Sequence, residues 1–302
     1  MMNNEPVLGG MVQTALDRCE PILRPGNTNC GGCGMSIGLL MLSRAVGDRP
    51  IQMVIPACCG IVTAGSFPRS AYGAPVVAAT FAAAAAFATG LAHAARLNGE
   101  DTRVICWAGD GGTYDIGMAT LSAAAERDED ILYICYDNEI YGNTGGQRSS
   151  ATPVGASTST TPRGKTHQKK DIMGIMAAHR IPYAATLSLA HPEDLMRKVR
   201  MALDMKGFRF LHILSPCPPG WKYADEDTIE LARLAVKSRI FPLYEVEDGE
   251  RWRLTVDEPA EPVDEYIRRQ GRFKHLGAEQ IAHIQADVDA RWQKVRTLSA
   301  GR

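Results

Sequence analysis

Two kinds of hydrophobic pattern alternate along the chain. Unbroken apolar runs occur in "IQMVIPACCG" from residue 51, "RVICWAGDGG" from 103, "ILYICYDNE" from 131 and "FRFLHILSPC" from 208, and each runs into a turn of Gly, Asp, Asn, Cys or Pro. They read as buried strands. Between them lie segments that read as helices: residues 76–97, "GMATLSAAAERDED", "DIMGIMAAHR", and "PEDLMRKVRMALDMKG", which Pro192 opens and Gly207 closes. Apolar strands alternating with helices predict a parallel α/β sheet covered on both faces, in one domain from about residue 20 to 225.

Two stretches break this rhythm. "ATPVGASTSTTPRGKT", residues 151–166, is too rich in Ser, Thr, Pro and Gly for a regular element and reads as an ordered functional loop or a lid. After residue 240 a hairpin turning at Asp248-Gly249 and a charged helix from about Ala278 are expected, an arm rather than a second core. The expected division is therefore residues 1–240 and a carboxy-terminal extension, 241–302.

Composition narrows the class. Lys and Arg number 33 against 34 Asp and Glu, which leaves no basic excess for nucleic acid. The beginning of the chain has no basic segment followed by an apolar one, so a cytoplasmic location is expected. Residues 76–97 are long enough to span a bilayer, but alanine dominates them and Thr80, Thr89, Gly90 and His93 interrupt them. A closely packed buried helix is the expectation there, not a membrane span.

The chemistry gathers at strand ends. In an open parallel sheet, ligands collect at the carboxyl ends of the strands, where backbone amides suit a phosphate. Gly109 and Gly111 allow close approach on either side of Asp110, and Asn138 ends the next strand. A carboxylate, a carboxamide and a nearby carbonyl are hard oxygen donors suited to Mg²⁺, so two strand ends would hold one metal-diphosphate.

The eight cysteines divide. Cys106 and Cys135 sit inside apolar strands and read as core; Cys19 receives no role. Cys30 and Cys33 in "NCGGCG" are separated only by glycines, while Cys58-Cys59 and Cys217 occupy turns after strands. Four thiolates converging there could hold structural zinc or an iron-sulfur cluster.

Taken together, "NCGGCG", "PACCG", "GDGGTYDIG", "YGNTGGQRSSATP" and "SPCPPGW" resemble, in order and spacing, the thiamine-diphosphate-binding beta subunit of the 2-oxoacid:ferredoxin oxidoreductases, most nearly the pyruvate type. The resemblance covers about residues 24–245. "PACCG" departs from the usual Ala-Thr-Gly-Cys, Asp137 stands where the thiamine motif commonly has Asn, and Met35 replaces a Glu of some relatives.

The resemblance implies a doubly wound thiamine-diphosphate fold. It implies Asp110, Asn138 and the Ile140 carbonyl as Mg²⁺ ligands, Cys30, Cys33, Cys59 and Cys217 as ligands of a 4Fe-4S cluster, and Asn143 as a polar group facing substrate. The implied reaction is oxidative decarboxylation of a 2-oxoacid to acyl-CoA and CO₂, with electrons leaving through the cluster to a ferredoxin-like acceptor. No glutamate here stands where it would activate the aminopyrimidine of the cofactor, so an alpha-type partner subunit is expected to supply it. Two other classes are weighed against this one. A non-redox thiamine decarboxylase or carboligase leaves the cysteines without a task, and a zinc-binding module leaves the strand-end oxygens idle.

Overall fold

The computed structural model describes residues 21–65 and 68–301. Cys19 lies outside them. Eight strands form one sheet: β1 Ile51–Pro56, β2 Val76–Ala79, β3 Arg103–Gly109, β4 Leu132–Asp137, β5 Tyr183–Ser188, β6 Arg209–Leu214, β7 Tyr244–Glu247 and β8 Arg251–Leu254. Their order is β2-β1-β3-β4-β6-β5-β7-β8. The pairs from β2 to β5 are parallel, and β7 and β8 add an antiparallel edge.

Alternation along β3, β4 and β6 sends side chains to two separate cores, which is why these strands are apolar at nearly every position. On one face, Cys106, Ala108, Tyr133, Cys135 and Phe210 pack under helices α3 (Ala84–Leu97) and α4 (Met118–Glu126). On the other, Ile105, Trp107, Ile134, Tyr136 and Ile213 pack against α1 (Gly34–Val46) and α6 (Pro192–Asp204). Between these come two short helices, α2 (Cys59–Val62) after β1 and α5 (Ile172–Ala178) before β5. The sheet is doubly wound, as the resemblance implies.

Residues 76–97 correct one expectation. Val76–Ala79 form the edge strand β2, paired in register with Met53–Pro56, and the helix begins only at Ala84. Two adjacent β-branched valines favour a pleated edge where the alanines after them favour helix. Nor is the helix buried all round. Ala84, Ala85, Ala88 and Ala95 face the core, while Phe87 is 41% exposed and Leu97 82% exposed. His93, expected inside a core element, is exposed and pairs with Glu129 at 2.8 Å. Among the described residues no helix is long and apolar enough to cross a membrane.

The carboxy-terminal hairpin turns at Asp248 and Gly249, both with positive φ, and extends the main sheet beyond β5. After β6 come α7 (Pro218–Trp221) and α8 (Thr228–Lys237); after β8 come α9 (Val263–Arg268) and α10 (Ala278–Ala300). Leu214, Trp221 and Leu231 of the body join Tyr266, Phe273, Ile281 and Val288 in a third core. Residues 241–301 thus pack onto the body as a cover.

Candidate active site

Four neighbouring strands, β1, β3, β4 and β6, deliver their carboxyl ends to one place. The chain leaves β1 toward β2 and β3 toward β4, in opposite directions, so the loops after β1 and β3 flank a topological switch point, the usual position of a ligand crevice.

Asp110 follows β3 and opens a π-helical turn, Gly111–Asp115. A Cβ on Gly111 would overlap the Tyr141 ring, and one on Gly117 would strike the Gly112 carbonyl, so both must be glycine. Across from Asp110, Asn138 follows β4. One carboxamide atom of Asn138 lies 2.8 Å from Asp110 Oδ1 and 2.7 Å from the Ile140 carbonyl oxygen. As nitrogen it donates to both. As oxygen it stands at 2.8 and 2.7 Å from two further oxygens, close to the spacing of about 2.9 Å between neighbouring ligands 2.0–2.1 Å from an octahedral Mg²⁺. A hard cation selects the second orientation.

Asp110 is buried, and burial followed by the Asp137 charge beside it pushes its carboxyl well above the usual range, against the Ser149 hydroxyl and the Lys169 charge. Ser149 donates to Oδ2, leaving Oδ1 toward Asn138. A buried carboxylate in this state is stabilised by a cation. The three oxygens therefore fit a divalent metal.

Asp137, in place of the commoner Asn, has a different task. Its Oδ2 accepts from Lys169 at 2.6 Å, His212 Nε2 at 2.8 Å and Tyr114 at 3.0 Å, and its Oδ1 from the Glu139 amide at 2.9 Å. Burial alone would raise its pKa, but the Lys169 charge and the His212 hydrogen bond hold it below the carboxylate range. Lys169 also meets Glu139 Oε1 at 2.9 Å, while Arg272 donates to Glu139 Oε2 at 2.7 Å. Asp137, Lys169, Glu139 and Arg272 thus alternate in sign, a largely buried chain of charges that stays paired throughout.

Residues 148–171 form an ordered strap. Gly155 N donates to the Lys165 carbonyl at 2.8 Å and Lys165 N to the Ala156 carbonyl at 3.1 Å, Lys165 Nζ donates to the Thr152 carbonyl at 2.6 Å, and Ser157 N donates to the Arg272 carbonyl at 2.9 Å. Its two ends bring Ser149 to Asp110 and Lys169 to Asp137.

The cysteine turns meet beside this loop. Gly34 N, just past Cys33, donates to the Pro216 carbonyl at 3.1 Å, next to Cys217, and a Cβ on Gly34 would lie 2.8 Å from the Pro216 backbone. Cys59 Sγ is 3.8 Å from where a Cβ on Gly142 would stand. Burial first, then Cys58, Cys217, Cys33 and Cys30, push the Cys59 thiol up to about 12. Burial, against a hydrogen bond from Gly220, together with Cys33 and Cys30, takes Cys217 up to about 11. Four thiols from three loops therefore share one neighbourhood. Cys58, partly buried beside Cys59, has a different partner: burial raises its thiol against a hydrogen bond with the Tyr136 hydroxyl. Among the described residues no three His, Cys, Asp or Glu side chains are gathered tightly enough for a single metal ion.

Asn143 is exposed at the tip of the loop 141–147, which closes through Tyr141 N to Gln147 O at 3.0 Å and Gly146 N to Tyr141 O at 2.9 Å. Arg148 and His167 are exposed as well, His167 against Thr166. Glu139, the glutamate between the two candidate ligands, has both carboxylate oxygens engaged and is not free to meet a cofactor ring. No role was expected for Ser149, Glu139, Lys169, Trp221 or Arg272, although Ser149 lies within "YGNTGGQRSSATP" and Trp221 within "SPCPPGW". The order Lys-Lys-Asp after a Ser/Thr-rich loop was the only local hint of Lys169.

Residues 58–213 match the family described as thiamine pyrophosphate enzyme, C-terminal TPP binding domain. The chain is 44% identical over 288 residues to the ketoisovalerate oxidoreductase subunit VorB of Pyrococcus abyssi, covering 91% of this chain and 92% of that protein. It is 44% identical over 285 residues to the pyruvate synthase subunit PorB of Methanothermobacter marburgensis, covering 92% and 98%. A 2-oxoglutarate:ferredoxin oxidoreductase from Magnetococcus marinus, solved with 2-oxoglutarate, coenzyme A and succinyl-CoA, shares the fold at a TM-score of 0.59 and 22% identity, over 72% of this chain and 80% of that one. The glycine-flanked Asp110, the strand-end Asn138 and these relatives lead to one assignment: the chain belongs to the thiamine-diphosphate-binding subunits of the 2-oxoacid:ferredoxin oxidoreductase family.

Proposed function

We propose that this chain is the beta subunit of a 2-oxoacid:ferredoxin oxidoreductase that holds Mg²⁺-thiamine diphosphate and a 4Fe-4S cluster on adjoining loops. The observation that carries this reading is the shared position of Ile140. Its carbonyl faces the Asn138 carboxamide at 2.7 Å, while its side chain and Cys217 Sγ crowd the same glycine, 3.0 and 3.1 Å from a Cβ placed on Gly220. A metal-diphosphate and a redox centre held this close suit electron transfer between them.

Thiamine diphosphate, when bound, supplies decarboxylation of a 2-oxoacid and releases electrons one at a time, with the acyl group passing to coenzyme A. The protein's part is to hold and orient. Asp110, Asn138 and the Ile140 carbonyl grip the cation, Gly109 and Gly111 keep the backbone close to the diphosphate, and Ser149 fixes the free oxygen of Asp110. Cys30, Cys33, Cys59 and Cys217 hold the cluster. Asn143, exposed on its loop, donates to the substrate carboxylate.

The site needs a second chain. With Glu139 engaged by Lys169 and Arg272, an alpha-type partner provides the glutamate for the aminopyrimidine, and the 241–302 cover contributes subunit contacts beside it. Motif similarity favours pyruvate as the 2-oxoacid; relatives of equal identity are named for pyruvate and for ketoisovalerate. The test is to assay the chain, alone and with its partners, on a 2-oxoacid panel with a low-potential acceptor. Turnover confined to the reconstituted complex and highest with pyruvate is expected. Turnover by the chain alone contradicts the partner's role, and a branched-chain optimum contradicts the substrate.

A further inference from the structure

Glu139 stands between Asn138 and Ile140 in a left-handed conformation, φ 59°. For a residue with a side chain this costs on the order of 1 kcal/mol or more and persists only where the surroundings enforce it. Here every polar group of Glu139 is tied. Its amide donates to Asp137 at 2.9 Å, its carbonyl accepts from Thr152 at 2.7 Å, and its carboxylate meets Lys169 at 2.9 Å and Arg272 at 2.7 Å. Rotation of Glu139 toward ordinary backbone angles would swing the Ile140 carbonyl away from Asn138.

Arg272 comes from outside this loop. It lies 133 residues along the chain, in the turn Gly271–Phe273, and is 2% exposed. Its Nε donates to Gln270 Oε1 at 2.8 Å, and its face lies 3.9 Å from the centre of the Trp221 ring. Trp221 in turn donates its indole N–H to the Asn138 carbonyl at 2.7 Å. Arg272 and Trp221 therefore reach the two residues 138 and 139 from one stacked pair. A lysine could meet the charge of Glu139 but not the stack and the fork together.

We infer that Arg272 is a positioning residue: through Glu139 it fixes the loop that presents Asn138 and Ile140 to the divalent cation, so that cation affinity depends on the carboxy-terminal cover. The inference rests on the proposed magnesium site. Partners that orient metal ligands typically change metal affinity by roughly 10–100-fold when removed. A purely structural ion pair would instead lower stability and leave the affinity of the folded protein unchanged.

The test uses the full complex and reads the Mg²⁺ concentration that half-saturates thiamine diphosphate retention, beside the 2-oxoacid KM at saturating Mg²⁺. Arg272→Gln is expected to raise the Mg²⁺ requirement by roughly 10–100-fold with KM unchanged, and Arg272→Lys to restore part of the loss. Folded Arg272→Gln with the parental Mg²⁺ requirement overturns the inference. Should Arg272→Gln fail to fold, the near-isosteric Glu139→Gln decides: a raised requirement supports the latch and a parental one overturns it. Asp110→Ala separates the two levels. Full cofactor retention in that variant overturns the magnesium site and the inference with it, whereas cofactor loss there beside a parental Arg272→Gln overturns the latch alone.

Discussion

Cys58 and Cys59 are adjacent in sequence and both partly buried against one core, yet they differ in partners: Cys58 meets the Tyr136 hydroxyl, while Cys59 lies beside Gly142 in the neighbourhood of Cys217, Cys33 and Cys30. Cys59→Ser is therefore expected to lower iron content or shift the electron resonance signal of the reduced protein. Cys58→Ser should leave that signal unchanged and reduce stability only slightly, because a hydroxyl replaces a thiol of nearly the same volume. The reverse pattern would assign the ligand to Cys58.

Asp110→Ala should abolish thiamine diphosphate retention and leave iron content largely intact. Its carboxylate faces Asn138 and Ile140, whereas the thiols come from the loops after β1 and β6 and the segment before α1. Cofactor and iron analysis of the same preparation checks both halves. Equal cofactor in mutant and parent would remove Asp110 from the metal site.

Asp137→Asn would restore the commoner thiamine motif, yet it should destabilise this protein. Lys169 is a largely buried cation, its side chain 17% exposed, shared by the buried Asp137 and Glu139, and Asn cannot replace the lost charge. Breaking one partner of a buried pair costs about 3 kcal/mol. A denaturant midpoint equal to the parent's would show that Glu139 suffices for Lys169.

The strand ends were legible in the sequence because four features coincide there: an unbroken apolar run, a glycine, a hard oxygen donor and a helix after it. Asp110 stands out on all four, Asn138 on its strand end and oxygen donor, and the cysteines on their spacing and their turns. Strand β5 was not read, because "YAATLS" carries Thr186 and Ser188 as buried polar residues where an apolar run would have marked it; the Thr186 hydroxyl donates to the Pro242 carbonyl at 2.8 Å. Strand β2 was absorbed into the alanine run after it. The charge chain through Asp137, Glu139, Lys169 and Arg272 left no periodicity, since its members come from a strand end, a strap and a distant cover. Only tertiary packing brings them together.

Glu245 supplies a pH prediction away from the cofactor loops. Burial would raise its carboxyl, but hydrogen bonds from Tyr183 at 2.6 Å and Arg197 at 2.9 Å hold it below the ordinary range. A carboxyl with a depressed native pKa contributes stability above its unfolded value, and that contribution is lost as pH falls through the native one. The denaturant midpoint should therefore fall on acidification from the unperturbed glutamate range, near 4.3, downward. In Glu245→Gln this part of the decline should vanish. An identical acid limb in both proteins would show that Glu245 does not drive it.

The central claim is that one chain carries both a thiamine site and an iron-sulfur cluster, and visible absorption with metal analysis of the anaerobically purified full chain tests it most directly. The account predicts a brown protein with about four irons per chain, as a cubane held by four cysteines requires, bleached on reduction. A colourless protein holding one zinc per chain would contradict it.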